Sequence, residues 1–323
     1  AYAPGAPVLR RRMTRGPLDV ATERRTCLRQ PSVVWMTCVA AVFMAAPALS
    51  ADEATLDELS SSVVRLVDQV IETAIVDGAE YEVWLRDPSG GDPSPHLRTV
   101  SGTAFFVRTR EHLYLVTAEH VARAMSGSCR AILMGVEHRP DTLALAELVG
   151  AAKPPTWLVH PEADAALLPL APAPGTLTSA TGVVPVTRAM LWAEPIPPSR
   201  DIPVTMLGFP MGLGSTGTFS PLSRETKIAS GWLEYPRADT GEHAQFLFLQ
   251  DPSVGGYSGS PVLDTGQIRV AGATIAPGGR CRCLGLVHGT VADLSGGKFA
   301  AVVPAIKIVE LIRDAEAAVA TSN

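Results

Sequence analysis

The 323-residue chain is predicted to be an all-β protein of barrel type, on three observations. Glycine (28 residues) and proline (27 residues) are abundant, which suits many tight turns. Short apolar stretches recur from about residue 97 onward, separated by clusters of Gly, Pro, Asp and Ser. Helix-period runs are few and lie toward the two ends.

Taken in order, residues 1 to 50 hold seven arginines (Arg10, Arg11, Arg12, Arg15, Arg24, Arg25 and Arg29) against Asp19 and Glu23. That net of +5 leaves −10 on the remainder, for −5 in all. The basic stretch runs into an apolar segment from Val33 to Ala46 and then into Pro47-Ala48-Leu49-Ser50-Ala51. Basic flank, short apolar core and small residues are the parts of a secretory signal, with cleavage expected after Ser50. The alternative is an uncleaved signal anchor, and only then would the protein be tethered to the membrane facing outward. Leu56, Leu59, Val63, Val64, Leu66, Val67, Val70 and Ile71 recur at helical spacing and predict a helix over 52–78. It belongs to a helical N-terminal extension and loop over 51–96, of which Asp87 to Pro95 is the loop.

The main domain is assigned to 97–323. Strands are predicted at Thr103 to Val107, Leu113 to Thr117, Ala131 to Met134, Ala166 to Leu170 and Val204 to Leu207. More follow at Phe246 to Leu249, Pro261 to Leu263, Val270 to Ile275, Leu284 to Val287 and Phe299 to Val303. Pro304 then opens a C-terminal helix through Ile306, Ile308, Val309, Leu311 and Ile312.

Composition excludes several function classes. An acidic body gives no electrostatic reason for nucleic acid as a partner. Cys281-Arg282-Cys283 lacks further ligands at zinc spacing, and the seven histidines form no His-Glu-x-x-His, so no metal is expected. Gly208 to Gly214 lacks the Lys-Ser/Thr of a phosphate-binding loop, and no cofactor is implied. Of five cysteines, Cys27 and Cys38 fall in the segment expected to be removed. Cys129 could pair with Cys281 or Cys283 in an exported protein, or all three could stay free.

Three segments carry candidate chemistry. In Tyr114-Leu115-Val116-Thr117-Ala118-Glu119-His120 an apolar strand delivers a histidine at its end. In His160-Pro161-Glu162-Ala163-Asp164-Ala165-Ala166-Leu167-Leu168 an aspartate stands at the mouth of another. In Gly255-Gly256-Tyr257-Ser258-Gly259-Ser260-Pro261 a serine sits in a glycine-rich turn. A serine hydroxyl is barely ionised at neutral pH, so a neutral imidazole must take its proton as it attacks. A buried carboxylate must orient that imidazole, and backbone N–H groups must meet the oxyanion. His120, Asp164 and Ser258 therefore form the candidate catalytic triad, with the N–H groups of Gly256 and Ser258 as the oxyanion hole. Asp251 and Asp201 are weaker carboxylate candidates, and His160 is read as a structural neighbour.

In the order His, Asp, Ser, these segments resemble the trypsin-like serine peptidases, especially exported bacterial and Deg-type members. Ser101-Gly102-Thr103-Ala104-Phe105, Leu207-Gly208-Phe209-Pro210-Met211-Gly212, Leu284-Gly285-Leu286 and Ala301-Val302-Val303-Pro304 extend the resemblance over roughly 98–313. It implies two six-stranded Greek-key β-barrels of the chymotrypsin type, flanked here by the N-terminal and C-terminal helices. It also implies a secreted or periplasmic endopeptidase acting on protein or peptide through an acyl-enzyme, without a PDZ-like segment. Two positions depart from the pattern. Glu119 replaces a small or amide residue, and Tyr257 replaces the aspartate that locks the mature N-terminus of animal trypsins, which implies no such activation switch. By the same resemblance Pro252, six positions before Ser258, falls at the floor of the substrate pocket, so an acidic floor is not supported unless loop length brings in Asp251, one position earlier. His288 and Gly289 could line that pocket, or His288 could be a core or surface histidine. Small or apolar residues are the default P1 preference. The reading from another class is a non-catalytic or membrane-tethered binding and sensing module of the cell envelope.

Overall fold

The computed structural model describes residues 8–11, 54–87, 91–125, 128–150, 155–170, 182–200, 202–266, 269–271, 274–276 and 280–322. Of the basic segment and signal expected over 1–50, Val8–Arg11 alone is described, as a strand; the rest, with Cys27 and Cys38, lies outside the described residues, as does Asp201. Two compact units are present. The smaller takes in residues 71–97 and carries a sheet of Val8–Arg11, Thr73–Val76, Ala79–Leu85 and Ser94–Pro95. Asp77 and Gly78 take the two positive φ angles (49° and 74°) that a tight hairpin turn requires between Thr73–Val76 and Ala79–Leu85.

The larger unit spans residues 50–70 and 98–323. Helix α1 (Leu56–Ser60) starts in a capping box, Thr55 Oγ1 accepting from Glu58 N while Glu58 Oε2 accepts from Thr55 N. Three serines end it. The hydroxyls of Ser60, Ser61 and Ser62 donate to the carbonyls of Asp57, Glu58 and Leu59, taking the acceptors that a longer helix would use. Strand β1 (Val63–Ile71) follows at once, burying Val63, Val64 and Leu66. The helix predicted over 52–78 is thus only five residues long, and the extension read as helical over 51–96 is mostly strand. Val63, Val64, Val67, Val70 and Ile71 are β-branched and fit a pleated sheet better than a helix.

The remaining long strands of the first barrel are β2 (Leu97–Arg108), β3 (Leu113–Thr117), β4 (Arg130–Met134), β5 (Pro140–Ala144) and β6 (Ala166–Pro169). They lie in the order β6-β3-β2-β1-β4-β5, with two-residue strands Leu158–Val159 and Val186–Thr187 added at β6 and β2. Three consecutive strands with the fourth returning beside the first is the Greek-key order. Short helices α2 (Glu119–Ala124) and α3 (Leu145–Val149) follow β3 and β5.

The second barrel holds β7 (Pro203–Gly208), β8 (Leu222–Lys227), β9 (Leu233–Pro236), β10 (His243–Leu249), β11 (Pro261–Asp264), β12 (Arg282–Ala292) and β13 (Lys298–Pro304). Their order is β8-β7-β11-β12-β13-β10-β9. A bridge between Ile228 and Leu249, with Ala229 N donating to Phe248 O and Gln250 N to Lys227 O, joins β8 back to β10. That closes a ring of six, from which β9 extends as a hairpin partner of β10. The segment predicted as one strand over Val270 to Ile275 is a pair of three-residue strands, Arg269–Ala271 and Thr274–Ala276.

Val204, Met206, Leu247, Val262 and Leu284 form a cluster within the second barrel, while a larger one with Phe105, Phe106, Leu115 and Leu133 runs from the first barrel on to Leu207, Phe246 and Leu286 of the second. Each such side chain contributes about 1.5–3 kcal/mol of burial. Pro304 ends β13, and α4 (Ala305–Ser322) follows directly. Its stripe of Ile308, Leu311, Ile312 and Ala315 is buried, and it packs on β6 of the first barrel and β12 of the second. Cys129, Cys281 and Cys283 are all free and buried, and burial pushes each thiol up to about 12.

Candidate active site

Strand register brings the histidine and the aspartate together. β6 runs antiparallel to β3 with Ala166 opposite Thr117, so the residues just before Ala166 and just after Thr117 leave the sheet at the same end. Three residues past Thr117, His120 stands in the first turn of α2; two residues before Ala166 stands Asp164, fully buried. The turn that holds Asp164 is closed by His160 N donating to Ala165 O. His160 points elsewhere, its Nε2 lying 2.8 Å from Glu310 of α4.

Asp164 uses both oxygens on His120. Oδ1 accepts the His120 backbone N–H at 2.9 Å, one of the unpaired donors at the start of α2, and Oδ2 lies 2.8 Å from Nδ1 of the ring. This places the Nδ1 proton toward Asp164 and leaves Nε2 as the basic nitrogen.

Ser258 comes from the second barrel, in the turn before β11. That turn is held by Ser260 N donating to Tyr257 O and Gly259 N to Val287 O. Thr103 of β2, fully buried, ties it to the first barrel: its N–H donates to Ser258 O at 2.9 Å and its hydroxyl to Gly256 O at 2.6 Å. Met211 N donates to Gly255 O, which turns that carbonyl toward the 209–213 loop and the Gly256 N–H of the same peptide the opposite way. Gly256 is required there, because its φ is +104° and a Cβ would sit 2.4 Å from Phe209 O. The Ser258 hydroxyl donates to the His288 carbonyl at 3.1 Å, so giving its proton to His120 requires rotation of the serine side chain.

His120, Ser258, His288 and Gly289 line one cleft of about 250 Å³ together with Ala238 and Asp239. A larger cavity of about 910 Å³, between residues 108–112 and α4, contains none of the candidate residues. Pro252 is half-buried and outside the 250 Å³ cleft, while its neighbour Ser253 meets Thr290 hydroxyl to hydroxyl at 2.9 Å, tying the two segments expected to wall the pocket. Asp251 lies 4.0 Å from Arg224 and does not line the cleft with His120.

His288 lines the cleft, but its ring does something the sequence reading did not foresee. Ala238 N–H donates to Nε2 at 3.2 Å, so Nδ1 carries the proton of the neutral ring and gives it to Asp164 Oδ2 at 2.5 Å. Two imidazoles thus share one carboxylate oxygen. Arg237, its side chain 4% exposed, is the other unforeseen neighbour: Nη2 lies 3.5 Å from Asp164 Oδ1 and 2.7 Å from Glu119 Oε2. Burial alone would raise the Asp164 pKa; the hydrogen bonds from His120 and His288 outweigh it and hold the carboxyl well below its usual range. Burial works in the lowering direction on His120, but Asp164 and then Asp239 more than offset it, and the net shift is upward from 6.5. His120, Asp164 and His288 bring potential ligand atoms within 4.8 Å of one another. Both Nδ1 atoms already lie on one carboxylate oxygen at 2.8 and 2.5 Å, too close for a cation between them without displacement.

Two β-barrels that meet at a His–Asp pair from one and a serine in a glycine turn from the other define a chymotrypsin-type serine endopeptidase. The model of the trypsin-like peptidase domain matches residues 102–272, and the chain belongs to that family. Among solved structures it is similar to the active form of the Rv3671c protease from M. tuberculosis, with 15% identity over 85% of this chain and 93% of that one and a TM-score of 0.44. It is also similar to the HtrA-type protease AlgW with a decapeptide (16% identity, 82% and 68% covered, TM-score 0.45) and to Deg5 (15%, 79% and 88%, 0.43). Among curated proteins, no sequence match is found.

Proposed function

We propose that the chain is an exported serine endopeptidase that cleaves protein or peptide through an acyl-enzyme, with Ser258 as nucleophile and His120 as its general base. Asp164 orients His120 and stabilises the imidazolium that forms as the Ser258 proton is taken. The N–H groups of Gly256 and Ser258 receive the oxyanion of the tetrahedral intermediate, and His120 returns its proton to the leaving amine. Water then repeats the sequence on the acyl-enzyme, so the chemistry calls on no cofactor. The observation that carries this reading is that buried Asp164 grips both the backbone N–H and the Nδ1 of His120, while His120 lines the same cleft as Ser258.

A small or apolar P1 residue is proposed. Among the described residues the carboxylate that lines the cleft is Asp239, and it is engaged with the Arg237 guanidinium through both oxygens. Export is proposed from the basic, apolar and small-residue segments ahead of residue 51. Among the described residues no helix is long and apolar enough to cross a membrane.

Labelling with a fluorophosphonate probe tests the chemistry: the exported protein is expected to react and Ser258→Ala not to. A native protein that never reacts, indistinguishable from Ser258→Ala, would sink the enzyme reading. N-terminal sequencing tests the export reading, with Ala51 expected as the first residue; a retained apolar segment would favour the tether.

A further inference from the structure

Behind the triad lies a second constellation that the reaction does not use directly. Glu119 immediately precedes His120 and is 2% exposed. Its carboxylate pairs with Arg123, one turn along α2, through Oε1 and with Arg237 through Oε2. Arg237 stands across the seam, in the hairpin turn between β9 and β10 of the second barrel. Its Nε and Nη2 meet both oxygens of Asp239 at 3.0 and 2.7 Å, and Nη2 also reaches toward Asp164 Oδ1. The next residue of that turn, Ala238, fixes the His288 ring that shares Asp164 Oδ2.

We propose that Arg237 is a positioning residue: clamped between Glu119 of the first barrel and Asp239 of its own turn, it locks the two barrels in register at Asp164 and balances the charge around His120. The assignment rests on the proposed triad. A buried guanidinium between three carboxylates is held in one geometry, because leaving any of those charges unpaired is costly. The groups that face Asp164 and His120 are accounted for by element. Glu119 and Arg123 come from α2, Arg237 and Asp239 from the hairpin turn, and His288 from β12. Asp164 is the charge in direct contact with His120; around that pair Asp239 raises and Arg237 lowers the affinity of His120 for a proton, and Glu119, paired with Arg237 and Arg123, offsets those cations.

That arrangement makes a signature which a scaffold role alone would not. Removing the Arg237 charge (Arg237→Met) leaves Glu119 and Asp239 unbalanced and favours protonated His120, so the acid limb of kcat/KM moves to higher pH. Removing the Glu119 charge (Glu119→Gln) leaves the cation in excess and moves the limb to lower pH. Each shift is expected to be about one to two pH units, as for a unit charge roughly 6–12 Å away at an effective dielectric constant near 20. In the Glu119→Gln/Arg237→Met double variant the limb returns toward its original position. Its kcat stays about ten- to a hundred-fold low, with KM little changed, because the guanidinium that steadies Asp164 is gone.

The experiment is a pH–rate series on these variants, with Arg237→Lys as the charge-conserving arm should Arg237→Met fail to fold. Arg237→Lys is expected to keep the limb in place and to recover part of kcat. His120 is also titrated by NMR in the Ser258→Ala background, which reads the same field without turnover. Opposite shifts for Glu119→Gln and for loss of the Arg237 charge bear the proposal out. Shifts in the same direction, or none in the folded proteins, overturn it. Wild-type protein that neither turns over nor labels, while His120 titrates with opposite shifts, overturns the triad's activity and not the charge balance.

Discussion

The two barrels contribute to the cleft in different ways. The first supplies His120 and Asp164 from the ends of paired neighbouring strands, and the register of β3 on β6 leaves their meeting little freedom. The second supplies Ser258, the oxyanion turn, His288 and Arg237 from a tight turn, a strand and a hairpin tip, cross-linked by hydrogen bonds. The first half is placed by sheet geometry and the second by accumulated local contacts. Damage to the first half should therefore act on the chemistry of one proton. Damage to the second should act on the position of a backbone.

Asp164→Asn gives the sharpest probe of the first half. It is expected to lower kcat by about four orders of magnitude with the fold intact by circular dichroism, since the amide reverses the tautomer of His120. Near-normal turnover would show that another group serves His120 and that sheet register alone does not place the pair. Gly256→Ala probes the second half. A Cβ there meets Phe209 O at φ +104°, so the N–H donor is displaced, and kcat is expected to fall by about two to three orders of magnitude with Ser258 still present. An unchanged kcat would mean that the turn has slack.

The pH profile separates the halves more gently. Because the His120 pKa is raised and the neutral ring is the base, kcat/KM is expected to fall as pH drops through a midpoint above 6.5. A midpoint below 6.5 would mean that burial, and not the carboxylates, dominates at His120. The smallest effect is expected far from the cleft: Thr55→Ala removes the cap of α1 and should cost about 1 kcal/mol in denaturant unfolding with kcat unchanged. A change in kcat would connect α1 to the cleft.

The same contrast decides what was legible in the sequence. His120, Asp164 and Ser258 each sit in a short run of strand-then-turn character, so each declares itself locally. Arg237 matters through a partner 73 positions away, and no local pattern marks it. Thr103 and His288 stand in recognisable segments, but their hydrogen bonds to Gly256 and Asp164, 153 and 124 positions away, have no local signature. Glu119 was the one visible clue, an acid where the resemblance calls for a small or amide residue; its buried partner Arg237 explains it. Strands β5, β8 and β9 went unread because PDTLA, LSRETK and LEYP are largely exposed and offer no apolar run. The stretch after Leu56 was misread because its valines satisfy both periodicities. The signal that separates them is Ser60-Ser61-Ser62, whose hydroxyls end the helix.

The seam pair Glu119–Arg237 has a consequence for ionic strength. With 2% and 4% of these side chains exposed, dissolved ions have almost no access to the space between them. Raising salt to about 1 M, where the screening length in water falls to about 3 Å, should silence exposed pairs such as Arg282–Glu194 and Arg313–Asp314. The seam should keep its grip on the triad throughout. A salt dependence of turnover in this protein would then report the charges its substrate carries toward the cleft.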